Sequence, residues 1–304
     1  MRSSPLMVSL LVALAACTGE VQGPDKVGVD SDTSAAETGT SDTQDTTVET
    51  GWTLPDGEDL AMVDDDAEQI GLHYNSEQVL SAAADRTWNV PGSGGDMLLC
   101  DFDGDGLDDA WALKAGDGGD LTIKVYLNEG GRFSDSVGYS EQFTFAAANY
   151  TFGCGDLGGS GRADLIAFKP DNSKLFVYAN TGGAFDQDSP VKTTTSFGAN
   201  TRWLVADYDG DGDDELGALS GGTLKVYQAT ERAINTSSPL ITVSVLDDYQ
   251  VTVLDLDGDG ETDLAQYNGA AFLVWPGDGS SFDQSRSWVF TITGSGKPVG
   301  ANLR

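Results

Sequence analysis

Apolar residues in this chain come in short runs cut by clusters of Gly, Asn and Asp. MLLC at 97–100, WLVA at 203–206 and VTVL at 251–254 are three such runs. Each leads into an acidic, glycine-bearing stretch, and runs of the same kind follow at 110–113, 165–168 and 264–267. Runs this short, bounded by turn-forming residues, predict strands rather than helices. A further run has a shared spelling: KVYLN at 124–128, FVYAN at 176–180, KVYQ at 225–228 and LVW at 273–275. Gly-rich turns ending in Phe133, Phe185 and Phe282 come after three of them. A more polar strand follows, such as QFTF at 142–145 or LITV at 240–243. From about residue 86 onward the unit is therefore strand, acidic loop, strand, turn, strand, Gly-rich turn, strand.

The acidic loop is nine residues long and occurs four times: DFDGDGLDD at 101–109, DLGGSGRAD at 156–164, DYDGDGDDE at 207–215 and DLDGDGETD at 255–263. The starts are 55, 51 and 48 residues apart, a period that marks a repeat architecture. The unit predicts an all-β chain of four-stranded antiparallel blades set round an axis, a β-propeller. A stacked β-solenoid is the alternative, but its repeats are usually shorter.

The loop's spelling suits a hard cation. Positions 1, 3, 5 and 9 are carboxylates in the full copies, and Ca2+ requires six to eight oxygen ligands in a flexible cage. Glycine at positions 4 and 6 of every copy lets the backbone take a positive φ and curl round an ion. Position 7 varies in type and would give its backbone carbonyl. Without a cation, four acids in nine residues repel one another. An EF-hand is excluded, since that motif needs a twelve-residue loop between helices.

Taken together, the DxDGDGxxD loop, the apolar strand after it, the xVYxN strand and the Gly-Gly-x-Phe turn resemble the FG-GAP/VCBS repeats of bacterial surface proteins, to which integrin alpha-chain propellers are related. The resemblance covers about residues 86–304. It implies Ca2+ between the first two strands of each blade. The ligands would be Asp101, Asp103, Asp105 and Asp109; Asp207, Asp209, Asp211 and Glu215; and Asp255, Asp257, Asp259 and Asp263. The second copy departs from the pattern. Gly158 and Ser160 stand where acids are expected, leaving Asp156 and Asp164 as a weak site or none. Arg162 either lies across those two acids in place of the ion or points to water. Four repeats are visible, fewer than the six to eight blades common in the family. Residues 300–304 (GANLR) match 198–202 (GANTR) ahead of the third loop. Either the ring closes with this tail as a partial strand or the sequence is cut short at Arg304; the second reading is favoured.

Charge narrows the partners. With 49 acids against 16 bases, the net charge of −33 argues against nucleic acid, whose phosphates need a basic surface. Residues 1–17 predict an export signal: Arg2, an apolar run at 6–16 too short to span a bilayer, and Leu14-Ala15-Ala16-Cys17, which resembles the lipobox of bacterial lipoproteins. That implies lipidation of Cys17 and a cell-envelope location facing away from the cytoplasm, with a plain secretory signal as the alternative. Residues 18–85 predict a disordered acidic spacer. Up to Asp66 it carries fourteen acids and one lysine, Lys26, and such a stretch cannot bury enough apolar surface to order itself. Within it, residues 67–85 form either a short helix or irregular chain.

Cys100 and Cys154 end the first strands of successive units. Export permits a disulfide, but inner strands of neighbouring blades are expected to stand too far apart for one. They are read as two buried small residues, with a bridge between them kept as the alternative. The single histidine, His73, falls in the spacer and is read as a surface residue. Catalysis by a Ser-His-Asp triad or a His/Cys zinc centre is thus disfavoured, and no catalytic residue is assigned. A binding role is expected, toward an extracellular protein or glycan. The alternatives are a lectin-like propeller or the non-catalytic part of an enzyme degrading polysaccharides or esters. Trp88, Trp111, Trp203, Trp275 and Trp288 do not recur at one equivalent position, which counts against sugar recognition.

Overall fold

The structure is a computed structural model. It describes residues 57–303 apart from 77–78, 92–94, 117–118, 231–232 and 247. The proposed signal, Cys17, Trp52 and the spacer up to residue 56 lie outside the described residues.

The strands run in chain order as β1 (Asp59–Asp64), β2 (Gln69–His73), β3 (Asn75–Ser76), β4 (Val79–Leu80), β5 (Arg86–Asn89), β6 (Asp96–Cys100), β7 (Asp109–Ala115), β8 (Leu121–Tyr126) and β9 (Tyr139–Phe143). They continue as β10 (Thr151–Gly155), β11 (Asp164–Lys169), β12 (Lys174–Tyr178), β13 (Val191–Thr194), β14 (Arg202–Ala206), β15 (Glu215–Ser220), β16 (Thr223–Tyr227), β17 (Ala229–Thr230) and β18 (Ala233–Ile234). The last are β19 (Ile241–Ser244), β20 (Gln250–Leu254), β21 (Asp263–Tyr267), β22 (Ala271–Trp275), β23 (Trp288–Thr291) and β24 (Lys297–Ala301).

Five four-stranded antiparallel sheets result, with orders β24-β1-β2-β5, β6-β7-β8-β9, β10-β11-β12-β13, β14-β15-β16-β19 and β20-β21-β22-β23. We call these blades I to V. The inner strands β6, β10, β14, β20 and β24 each contact the next, and β24 contacts β6, so the blades form a closed five-bladed propeller. Five hydrophobic clusters fill the five junctions between neighbouring blades. Both faces of a blade are therefore buried, one against each neighbour. That is why its middle strands read as unbroken apolar runs rather than alternating ones. In β11, Leu165, Ile166, Ala167 and Phe168 are all fully buried. Leu165 and Ala167 face blade II, while Ile166 and Phe168 face blade IV.

Several expectations are corrected by the structure. The propeller begins before residue 86: β1 and β2 are the second and third strands of blade I, so the proposed spacer, 18–85, overlaps the folded part. Acids at either end of β1 mask Leu60, Ala61, Met62 and Val63, all buried. Gln69–His73, Asn75–Ser76 and Val79–Leu80 are strands, where a short helix or irregular chain was expected.

The ring also has a fifth blade. It is closed by β24, which pairs with β1 from Asp59↔Ala301 to Val63↔Lys297. The tail match at 300–304 misplaced the register. Ala301 pairs with Asp59 as Cys100 pairs with Asp109. Asn302 therefore stands where Asp101 does, directly after the inner strand, whereas the tail match put it seven residues before a loop.

Cys100 and Cys154 form a disulfide, with a Cα separation of 6.2 Å. That lies inside the span a bridge tolerates. The inner strands of blades II and III come within reach of each other at their loop ends, which strand spacing within one sheet would not suggest.

Candidate metal centres on the loop face

Each acidic loop joins the inner strand of a blade to the next strand outward, so all lie at one end of the central channel. The first loop shows how the backbone is held. Asp101 accepts hydrogen bonds from the Gly104 N–H at 2.7 Å and the Gly106 N–H at 2.8 Å. Asp105 accepts from the Leu107 N–H at 2.9 Å. Both glycines have positive φ, 84° and 87°, as the curl of the loop requires. Asp109 is buried at the start of β7 and accepts from the N–H of Phe102 at 2.9 Å and of Asn128 at 2.7 Å. The third and fourth loops repeat this frame. Asp207 accepts from Gly210 and Gly212, and Asp255 from Gly258 and Gly260. Glu215 accepts from Tyr208, and Asp263 from Leu256 and Gly277. The longer Glu215 also takes a bond from the Gln228 amide at 3.1 Å.

Three groups of carboxylates result whose oxygens lie within 4.8 Å of one another: Asp101, Asp103 and Asp109; Asp207, Asp209 and Glu215; Asp255, Asp257 and Asp259. Each group could hold a metal ion. Asp105 and Asp211 stand outside their groups and bind the N–H two residues on. Asp263 stands outside the third. The Oδ1 atoms of Asp209 and Asp257 are buried with no hydrogen-bond partner, an arrangement that a bound cation would satisfy. Burial first and neighbouring carboxylates second push Glu215 up to about 8 and Asp257 to about 6. Burial likewise pushes Asp109 and Asp263 up to about 7, against the hydrogen bonds they accept from backbone N–H groups. Asp101, Asp209 and Asp255 are raised as well, chiefly by burial. These are carboxylates short of positive charge.

The second loop keeps the frame and lacks the contents. Asp156 accepts from the N–H of Ser160 at 2.9 Å and of Gly161 at 2.5 Å. Asp164 is buried and accepts from the Asn180 N–H at 2.8 Å. No third carboxylate joins them in a metal-holding group among the described residues. Arg162 follows neither expected course. Its Nε donates to the Asp103 carbonyl of the preceding loop at 3.1 Å, beside Gly104. Gly159 in turn faces Asp213 of the next loop, and Gly210 faces Glu261. Position 4 of one loop thus packs on position 7 of the next.

Position 8 was not singled out by the sequence pattern, yet it stitches neighbouring blades. The N–H groups of Glu58, Asp108, Ala163 and Asp214 donate to the carbonyls of Asp255, Asn302, Asp101 and Asp156. Three of these residues also accept back through their carboxylates: Glu58 from the Asp255 N–H at 3.0 Å, Asp108 from Asn302 at 2.7 Å and Asp214 from Asp156 at 2.6 Å. Thr262 reaches the Asp207 carbonyl with its hydroxyl. Burial pushes Glu58 up to about 8, Asp108 to about 7 and Asp214 to about 6. The only sequence sign of this role was an acid adjoining position 9 in two copies.

His73 is buried in β2 and its Nδ1 lies 2.7 Å from the Ser81 carbonyl, so it is not the surface residue expected. Trp111 and Trp275 are buried in blade junctions. Trp88 packs edge-on against Tyr126, and Trp203 against Phe168. No tryptophan among the described residues is exposed.

No family model matches the chain, and no curated protein matches it either. Among solved structures, it is similar to part of the Tc holotoxin pore of Photorhabdus luminescens, at 17% identity and a TM-score of 0.40, over 71% of this chain and 10% of that one. It is also similar to a functionally unknown protein from Desulfotomaculum acetoxidans, at 9% identity and a TM-score of 0.41, over 76% of this chain and 79% of that one. This chain spans about a tenth of the length of the toxin chain it matches.

Proposed function

We propose that this is an exported, lipid-anchored Ca2+-binding propeller of the FG-GAP/VCBS kind, used for adhesion or for binding an extracellular protein or glycan. The observation that carries the metal part is the pair of buried, unpartnered oxygens on Asp209 and Asp257 inside carboxylate triads. Oxygen-only donor sets without His or Cys suit Ca2+ rather than zinc or copper. The ions are structural in this reading. They neutralise acids that the folded loops crowd together, and so stiffen the face on which recognition loops stand. The role is binding rather than catalysis.

The deciding experiment is calorimetric titration of the chelated, refolded protein with CaCl2. Three sites are expected, with dissociation constants of roughly 10⁻⁴–10⁻³ M, as in extracellular modules. Uptake of no Ca2+ by the folded protein overturns the metal assignment. The anchor has its own test. Cys17→Ser should move the protein from the membrane to the soluble exported fraction, and an unchanged distribution sinks that part.

A further inference from the structure

Along the channel, from the end away from the acidic loops as far as Cys100 and Cys154, runs a cavity of about 290 Å3. Its wall is mainly apolar, with Tyr150, Phe152 and Trp203 on one side and Val253 and Val299 on the other. Two cationic side chains and one acid, Asp96, reach it. One cation is committed: Lys297 Nζ lies 2.6 Å from Asp65. The other is not. Arg202 forms no ion pair among the described residues, in a chain with 49 acids and 16 bases. Its hydrogen bond is from Nη2 to the Val251 carbonyl of the next blade at 3.3 Å. A guanidinium has five N–H donors in a planar fork, so most of its donor capacity stays open. The side chain is exposed at the cavity mouth, so its open donors can meet a ligand from solvent.

An arginine held by one carbonyl at the rim of an apolar cavity has the chemistry of an anchor for a carboxylate. We propose that this mouth binds a small organic acid. Its carboxylate would bridge to Arg202, and its apolar or aromatic body would lie against Tyr150, Phe152 and Trp203. The volume is at the low end for ligand sites and suits a single-ring molecule. The site does not depend on the acidic loops holding an ion.

Phenylacetate and its neutral isostere phenylacetamide are suitable probes, with binding to the full chain followed by chemical-shift changes of the Trp203 indole N–H. Phenylacetate is expected to bind about tenfold more tightly than the amide, as a charge-assisted contact implies. Arg202→Gln should abolish that preference, and Arg202→Lys should keep part of it. Equal binding of the two probes overturns the proposal. So does absence of binding by either at about 20 mM, beyond the millimolar range expected of a fragment. A preference that survives in Arg202→Gln does the same. If Arg202→Gln fails to fold, the acid–amide comparison on the native chain still decides.

Discussion

The first and second loops have one backbone and two different contents. Both curl through glycines of positive φ, at 104 and 106 and at 159 and 161. Both hang from a first-position Asp that accepts two loop N–H groups. Both sink an apolar residue, Phe102 or Leu157, into the junction behind. Both end on a buried Asp that holds the N–H of an Asn just past the end of the third strand outward, Asn128 or Asn180. Only the first carries acids at positions 3 and 5. The shape of the loop is thus set by positions 1, 2, 4, 6 and 9, and its charge by positions 3 and 5. The acids that could hold an ion are an addition to a frame that the other positions set.

The largest test of this comparison lies behind the two loops, where the Cys100–Cys154 bridge joins their inner strands. Reducing it, or making Cys100→Ser with Cys154→Ser, should cost about 2–4 kcal/mol in denaturant unfolding. Chelation should cost less. A larger loss on chelation than on reduction would mean the ions, not the frame, hold the ring.

Next comes the frame itself. Asp164→Ala should cost about 1–3 kcal/mol by stranding the buried Asn180 N–H. The loss should be the same with Ca2+ and with chelator, because its loop has no full ligand set. A loss seen only with Ca2+ would show the depleted loop to be a site after all.

The pH dependence separates the two kinds of loop further. A carboxyl with a raised folded pKa contributes stability below its unfolded value near 4, and that stability is lost as pH rises through the folded value. Burial raises Asp109 and Asp263 to about 7 and Glu215 to about 8. Melting temperature without metal should therefore fall between about pH 4 and pH 8. Saturating Ca2+ should flatten or reverse the slope. Identical slopes in the two conditions would separate these acids from any bound ion.

Smaller still is one site. At about 1 mM Ca2+ each ion adds roughly 0.4–1.4 kcal/mol by mass action, given the affinities expected of extracellular modules. Asp257→Ala should remove one such increment and leave the chelated protein's stability nearly unchanged. The gentlest change sharpens the comparison from the other side. Gly158→Asp with Ser160→Asp rewrites the second loop as a full copy. Gly158 does not take the positive φ of its neighbour Gly159, so the backbone tolerates the side chain. Titration should find one more Ca2+ than in the unchanged protein, and no gain would show that position 7, where Arg162 sits, also decides occupancy.

The strands and loops were legible because their signals are local. Four apolar residues between turn formers make a strand, and glycines at fixed offsets make a curl, whatever surrounds them. The acids at positions 1, 3, 5 and 9 could be picked out for the same reason. Blade I was hidden because its inner strand comes from the far end of the chain, and pairing between residues 59 and 301 leaves no mark in either neighbourhood. The Cys100–Cys154 bridge, the stitches from Glu58, Asp108 and Asp214 and the reach of Arg162 to Asp103 all cross from one blade to another. Such contacts depend on how closely inner strands gather round an axis, a distance that only the closed ring determines. By itself the sequence decided what each blade would be; the tertiary structure decided how many there are and what holds one to the next.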